Sequence, residues 1–256
     1  MARMYSLAEL KYMYISPLQD AWQAAQVIRY CPAMEPIVKA HRKLYANTDE
    51  AVVISMDERQ ERFLGDHSLT YGETRWVSFI KVLDTLKLTP KDVFIDLGSG
   101  AGFLCFLVNQ ATGCKVEGYD IIHRFVENSN QLVQAQGLKN IAFYNRDFFQ
   151  SDLSHGTVFY ITCTCFRPED MDKLANRLKY NRSGTRVVTI TRPLKGAHFR
   201  QVETLKLRFS WGPDLAYVPG ANLIQTALLL LGSLLWLSKA RTRVSTSPVN
   251  GNLWPR

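Results

Sequence analysis

The chain has 256 residues, 46% of them hydrophobic and 21% charged, with a net charge of +8. This is ordinary globular composition, long enough for a sizeable core, and it excludes disorder, collagen and a disulfide scaffold as whole-chain readings. Five cysteines without regular spacing point to a reducing compartment, and the absence of an apolar stretch in the first ten residues argues against a secretory signal, so an intracellular, cytoplasmic location is expected.

In chain order, residues 1–66 read as a helical N-terminal part, nearly neutral with 8 basic and 9 acidic side chains. Helix-like apolar spacing runs from Leu18 to Tyr30, and Pro17, Pro32 and Pro36 punctuate it. No motif in this part attaches to chemistry. From residue 75 to 88, Trp76, Phe79, Ile80, Leu83 and Leu86 fall on one helical face. A buried strand at 93–97 then runs into Gly98-Ser99-Gly100-Ala101-Gly102. A helix over 103–112, a strand over 115–120, a helix over 122–136 with Gly137 at its end, and a strand over 141–145 follow. The alternation continues with a strand at 157–162, a helix at 168–180 opened by Pro168, and a strand at 185–191. Two strand-like runs within 204–218 are split by Trp211-Gly212-Pro213. The pattern predicts an α/β fold with a doubly wound, mostly parallel, seven-stranded sheet over residues 67–218.

Two segments stand apart. Residues 167–208 hold 11 basic and 4 acidic side chains, which is either a solvated basic face or a surface for an acidic partner such as nucleic acid. Between Asp214 and Lys239 lie 24 uncharged residues. Their 219–238 portion reads as a transmembrane helix, as a helix packed on the domain, or as an altered C-terminal end. Residues 239–256 read as a disordered tail.

The glycine loop carries the first functional signal. Glycines directly after a buried strand let a ligand approach the backbone, and the following helix offers free N–H groups. The spacing Gly98-x-Gly100-x-Gly102 fits a dinucleotide fingerprint poorly, because residue 103 is Phe. Asp96 stands before the loop, where a carboxylate repels a pyrophosphate but accepts hydrogen bonds from an ammonium. Asp120 ends the second strand, where a carboxylate can hold two ribose hydroxyls. Acid, glycines and acid together favour S-adenosylmethionine over a nicotinamide cofactor. Asp147-Phe148 follows the third strand; alone it reads as a loop acid beside a core aromatic, but placed 51 residues after Asp96 in this fold it reads better as an adenine site.

Upstream, Tyr71-Gly72-Glu73-Thr74, then an amphipathic helix, then a strand into Asp96-Leu97-Gly98-Ser99-Gly100, resembles the disruptor-of-telomeric-silencing family. These are histone-lysine methyltransferases that lack a SET domain. Gly184-Thr185-Arg186-Val187-Val188 and Ser210-Trp211-Gly212-Pro213 with Tyr217 are similar to later family segments, and the resemblance spans about residues 60–218. It implies a class I methyltransferase fold and transfer of a methyl group from S-adenosylmethionine to a lysine of a protein partner. It also implies site roles. Tyr71, Gly72, Glu73 and Thr74 would line the cofactor's methionine end. Asp96, Gly98, Ser99, Gly100 and Gly102 would hold its amino-acid and ribose parts, Asp120 the ribose hydroxyls, and Asp147 with Phe148 the adenine. Phe166 and Tyr217 would wall a channel for the lysine. Where the family has N-N-F-A-F, this chain reads Thr162-Cys163-Thr164-Cys165-Phe166, so Thr162 would offer an oxygen in place of an asparagine.

Transfer from a sulfonium needs alignment and a neutral amine, so no catalytic dyad and no metal is expected. Cys163 and Cys165 are read as buried strand residues rather than as a nucleophile or metal ligands. Two other readings remain beside this one: a methyltransferase acting on RNA or a small molecule, and a cofactor-binding module without turnover.

Overall fold

The computed structural model describes residues 16–45, 48–63, 70–196, 199 and 202–219. They belong to one compact unit that ends at Pro219. Three helices come first: α1 (Ser16–Tyr30), α2 (Glu35–Leu44) and α3 (Thr48–Phe63). Local chemistry sets their limits. Pro36 sits in the first turn of α2 beside Glu35, and His41, Arg42 and Lys43 fill its last turn, which suits both ends of the helix dipole. Helix α4 (Trp76–Leu86) stops at Lys87, which adopts a left-handed conformation (φ 47°).

The remaining elements alternate as expected: β1 (Val93–Leu97), α5 (Phe103–Thr112), β2 (Lys115–Asp120), α6 (His123–Ala135), β3 (Ile141–Asn145), β4 (Val158–Thr162), α7 (Pro168–Leu178), β5 (Arg186–Ile190), β6 (Val202–Phe209) and β7 (Gly212–Pro219). The strands form one sheet in the order β3-β2-β1-β4-β5-β7-β6. Neighbours from β3 to β5 pair in parallel, whereas β7 runs antiparallel to both β5 and β6. The order reverses between β1 and β4, so a crevice opens outside their carboxyl ends, the usual ligand position in such sheets.

Alternation along the strands divides the core into two layers. Phe94, Val116, Val158, Tyr160, Val188 and Ile190 pack with α4, α5 and the N-terminal residues Val27, Ile37 and Val38. Ile95, Leu97, Tyr119, Phe159 and Ile161 pack with Leu174 and Leu178 of α7.

The structure moves some predicted boundaries. Gly212 and Pro213 begin β7 rather than separating two strands, and Pro219 ends that strand. Pro219 apart, the predicted 219–238 segment lies outside the described residues, as does the 239–256 tail. Among the described residues no helix is long and apolar enough to cross a membrane. Cys163 is buried, but Cys165 is exposed, because β4 ends at Thr162 and the chain turns there.

Candidate active site

The site grows from the carboxyl end of β1. Gly98, Gly100 and Gly102 all have left-handed backbones (φ 90°, 50° and 77°). The loop they form is pinned to β2: the Gly98 and Ser99 N–H groups donate to the Tyr119 carbonyl at 2.8 and 3.0 Å. Gly100 is required twice over. Its φ favours glycine, and a Cβ there would lie 2.6 Å from the ring of Tyr71, so the missing side chain is the space that Tyr71 occupies.

Two buried carboxylates flank the loop. Asp120 accepts from the Gly100 N–H at 2.7 Å with one oxygen and from the Ile122 N–H at 2.8 Å with the other. Burial pushes its carboxyl up to about 6, against the opposing pull of these N–H bonds. The Ile121 N–H also stabilises this carboxylate, and acceptor capacity remains for a ligand. Asp96 is 3% exposed and, among the described residues, receives only the Cys105 thiol, at 3.7 Å. Its carboxyl is raised well above the usual range, first by burial and then by the charge of Asp120. A buried acid so poorly supplied with donors is costly to ionise alone and suits a cationic ligand.

A strap closes the site from above. The Tyr71 hydroxyl donates to Glu73 at 2.5 Å, and its ring packs on Phe125 with centroids 4.9 Å apart. The Tyr71 hydroxyl is raised well above its ordinary value by burial and by the Glu73 charge. Thr74 shares a hydrogen bond with the buried Tyr160 hydroxyl at 2.7 Å. The turn after β6 holds the strap in place: the Ser210 N–H donates to the Glu73 carbonyl at 2.8 Å, and the Glu73 N–H donates to Ser210 Oγ at 2.9 Å. Trp211 covers Gly72, where a Cβ would meet its ring at 2.8 Å.

After β3, the Asp147 side chain caps a short 3-10 turn, Phe148–Gln150, accepting from the Phe149 N–H at 2.8 Å and from Gln150 Nε2 at 3.1 Å. Phe148 lies parallel to Phe166, with centroids 6.2 Å apart. Together these residues enclose a cavity of about 420 Å³ whose lining includes Asp120, Asp147, Phe148, Phe149, Phe166 and Arg146. A second cavity of about 40 Å³ is lined by Glu73, Thr74, Asp96, the glycine loop and Tyr160. Tyr71, Gly72, Gly98 and Thr162 line both.

Every site residue expected from the sequence lines one of these cavities, except Tyr217. That residue lies on β7 opposite Thr189 and Thr204 and lines neither. Sequence reasoning missed Tyr160, Arg146 and Phe103, and it took Trp76 only as a helix-face residue. Trp76 stacks on Phe103 at 3.6 Å and both line the smaller cavity. Arg146 was reachable from the sequence as the neighbour of Asp147 at a strand end. Tyr160 and Thr74 are 86 positions apart, and no local pattern joins them.

The basic 167–208 block is partly committed within the fold. Arg186 pairs with Asp92, Arg192 donates to the Phe166 carbonyl, Arg177 donates to the Ser151 carbonyl, and Arg167 pairs with Asp170. Among the described residues, no group of three or more His, Cys, Asp or Glu side chains is placed to hold a metal.

A family model described as "Histone methylation protein DOT1" matches residues 58–206, more than half of the chain. A Dictyostelium discoideum protein named "Histone-lysine N-methyltransferase, H3 lysine-79 specific" is 32% identical over 118 residues, covering 40% of this chain and 6% of the relative. A Caenorhabditis elegans protein of the same name is 31% identical over 142 residues, covering 48% of this chain and 15% of the relative. The chain therefore spans a small part of the length of these relatives. Among solved structures, an RNA methyltransferase from Salinibacter ruber in complex with S-adenosyl-L-homocysteine aligns with a TM-score of 0.46 at 23% identity, over 57% of this chain and 92% of that one. That likeness is too slight to bear on function.

Proposed function

Given that the chain belongs to the family of the histone methylation protein DOT1, we propose that it is an S-adenosylmethionine-dependent protein-lysine N-methyltransferase. One observation supports the reading most: a single crevice gathers Asp96, the left-handed glycine loop, Asp120 and Asp147-Phe148 beneath the Tyr71–Thr74 strap. The donor set suits the cofactor. A buried carboxylate starved of donors at Asp96 matches an ammonium, and the remaining acceptor capacity of Asp120 matches a pair of ribose hydroxyls. Phe148 offers a ring face, and Asp147 an acceptor, to an adenine. The larger cavity has the volume of a small-molecule site. Bound there, S-adenosylmethionine would supply an activated methyl group on a sulfonium.

The chain's own residues do the remaining work by placement and exclusion of water. Tyr71 and Gly72 line both cavities, with the Tyr71 hydroxyl fixed by Glu73. Thr162 lines both cavities, so its hydroxyl can accept from an incoming amine at the point where they meet. Phe166 adds an aromatic wall, and an apolar wall favours the neutral amine over the ammonium. Tyr217 lines neither cavity and is left out of this wall. A histone acceptor would place the chain with chromatin rather than in the cytoplasm.

Calorimetric titration of the full chain with S-adenosylhomocysteine, followed by transfer of labelled methyl groups to core histones, tests the reading. Binding should be weakened by on the order of 1.5–3 kcal/mol in Asp120→Ala, from loss of charge-assisted hydrogen bonds. A folded wild-type chain that does not bind refutes the cofactor assignment. Binding without label on any lysine refutes the protein-lysine assignment alone.

A further inference from the structure

The N-terminal helices carry no chemical motif, and residues 16–57 precede the segment that matches the family. Yet each helix sends at least one side chain to the frame of the crevice, and Glu58 stands at the first residue of the matched segment. Gln23 of α1 accepts from the Trp76 N–H at 2.9 Å, at the start of α4. His41 of α2 meets the Ala101 carbonyl of the glycine loop at 3.1 Å. Glu58 of α3 accepts from the His123 N–H at 2.5 Å and the Arg124 N–H at 3.1 Å, while Arg62 pairs with it one helical turn away.

The Glu58 contact bears directly on ligand binding. Three consecutive N–H groups open α6, those of Ile122, His123 and Arg124. Asp120 takes the first and Glu58 takes the other two. Free amides at a helix start draw in any nearby carboxylate. Without Glu58, Asp120 is the nearest acid in sequence and would turn onto the helix end, using the lone pairs that a ribose needs. Glu58 is 6% exposed, and its carboxyl is held below the usual range by the N–H bonds from Arg124 and His123 and by Arg62, which outweigh its burial. It is therefore a committed cap and not a surface charge.

We infer that Glu58 is a positioning residue for cofactor binding: by taking the His123 and Arg124 N–H groups at the start of α6 it keeps Asp120 free to hold the ribose. The inference rests on the cofactor reading above and makes the N-terminal helices part of the binding machinery. The test is a double-mutant cycle on the full chain with S-adenosylhomocysteine as probe. Glu58→Gln should weaken binding about tenfold alone and less than about twofold in an Asp120→Asn background. Glu58→Asp keeps the charge but withdraws it from the two amides. It should show the same dependence on Asp120, and it serves if Glu58→Gln unfolds. A merely structural role would lower the melting temperature and leave the two substitutions additive in affinity, which would overturn the inference alone. A wild-type chain that does not bind the probe overturns the cofactor reading, and this inference with it.

Discussion

Replacing His41 with phenylalanine should change how stability depends on pH, and the sign can be worked out from the structure. His41 is 3% exposed, enclosed by Tyr45, Phe103 and Trp76 at centroid distances of 4.9, 5.1 and 6.0 Å. Burial lowers it from 6.5 to about 4, against the contrary pull of the Ala101 carbonyl. The unfolded chain thus takes up a proton between those values that the folded chain refuses. Stability from this residue is complete above pH 6.5 and falls as pH drops toward 4, by about 3 kcal/mol in all. Phenylalanine fills the same aromatic enclosure but leaves the Ala101 carbonyl with only the long 3.5 Å bond from Ser129 Oγ, at a cost of about 1 kcal/mol independent of pH. Urea unfolding at intervals from pH 8 to pH 4.5 should therefore show His41→Phe less stable than wild type at pH 8. The difference should shift by about 2.5 kcal/mol in favour of the variant by pH 4.5. Asp96, Asp120 and every other titrating group are common to both chains and cancel in the difference. A gap that stays constant over the range would refute the reasoning, since His41 would then be protonating within the folded chain.

Gly100→Ala forces a side chain into a left-handed backbone and against the Tyr71 ring. It should cost about 1–2 kcal/mol in unfolding experiments and weaken S-adenosylhomocysteine binding at least about tenfold by displacing the strap. Arg186→Leu breaks the pairing with Asp92 and the bond to the Leu86 carbonyl. It should lower unfolding free energy by about 1–3 kcal/mol while the affinity measured by calorimetry stays at the wild-type value, because the cluster lies at the opposite end of β1 from the glycine loop. With a thiol reagent, Cys165 should react at once and the buried Cys31, Cys105, Cys114 and Cys163 only on unfolding; early modification of a second cysteine would contradict the packing of the sheet.

The central sheet is legible because each strand is a short apolar run closed by turn residues. The predicted limits of β1, β2, β3 and α5 are those observed. The last hairpin misleads for a specific reason. Pro213 reads as a breaker, yet it lies in β7 opposite Arg208. β5 pairs with β7 only at Tyr217 and Ala216, so Pro213 sits beyond that ladder and its missing N–H is not needed there. The cavity wall from Asp96 to Phe148 is legible too, since a doubly wound sheet collects its ligand residues just after successive strands. What the sequence hides are partnerships without local spacing: Glu73 with Ser210 across 137 positions, Glu58 with His123 across 65, and Thr74 with Tyr160 across 86. Cys165 was misplaced because a strand-like composition continues past Thr162, where the backbone already turns.

The tie between the strap and Ser210 bears on the order in which the molecule is made. The strap is translated before β1, but its anchor follows β6, so the strands from β1 to β5 can be complete while the anchor is still inside the ribosome. During that interval a nascent chain has its glycine loop and both acids, and its strap can reach the sheet through Thr74 and Tyr160 but lacks the two backbone ties to Ser210. The crevice is finished in one late step, when the hairpin swings in and β7 joins β5. A ligand that stabilises the closed crevice would therefore act on the newly released chain, rewarding the last strands for docking rather than guiding the first ones to fold.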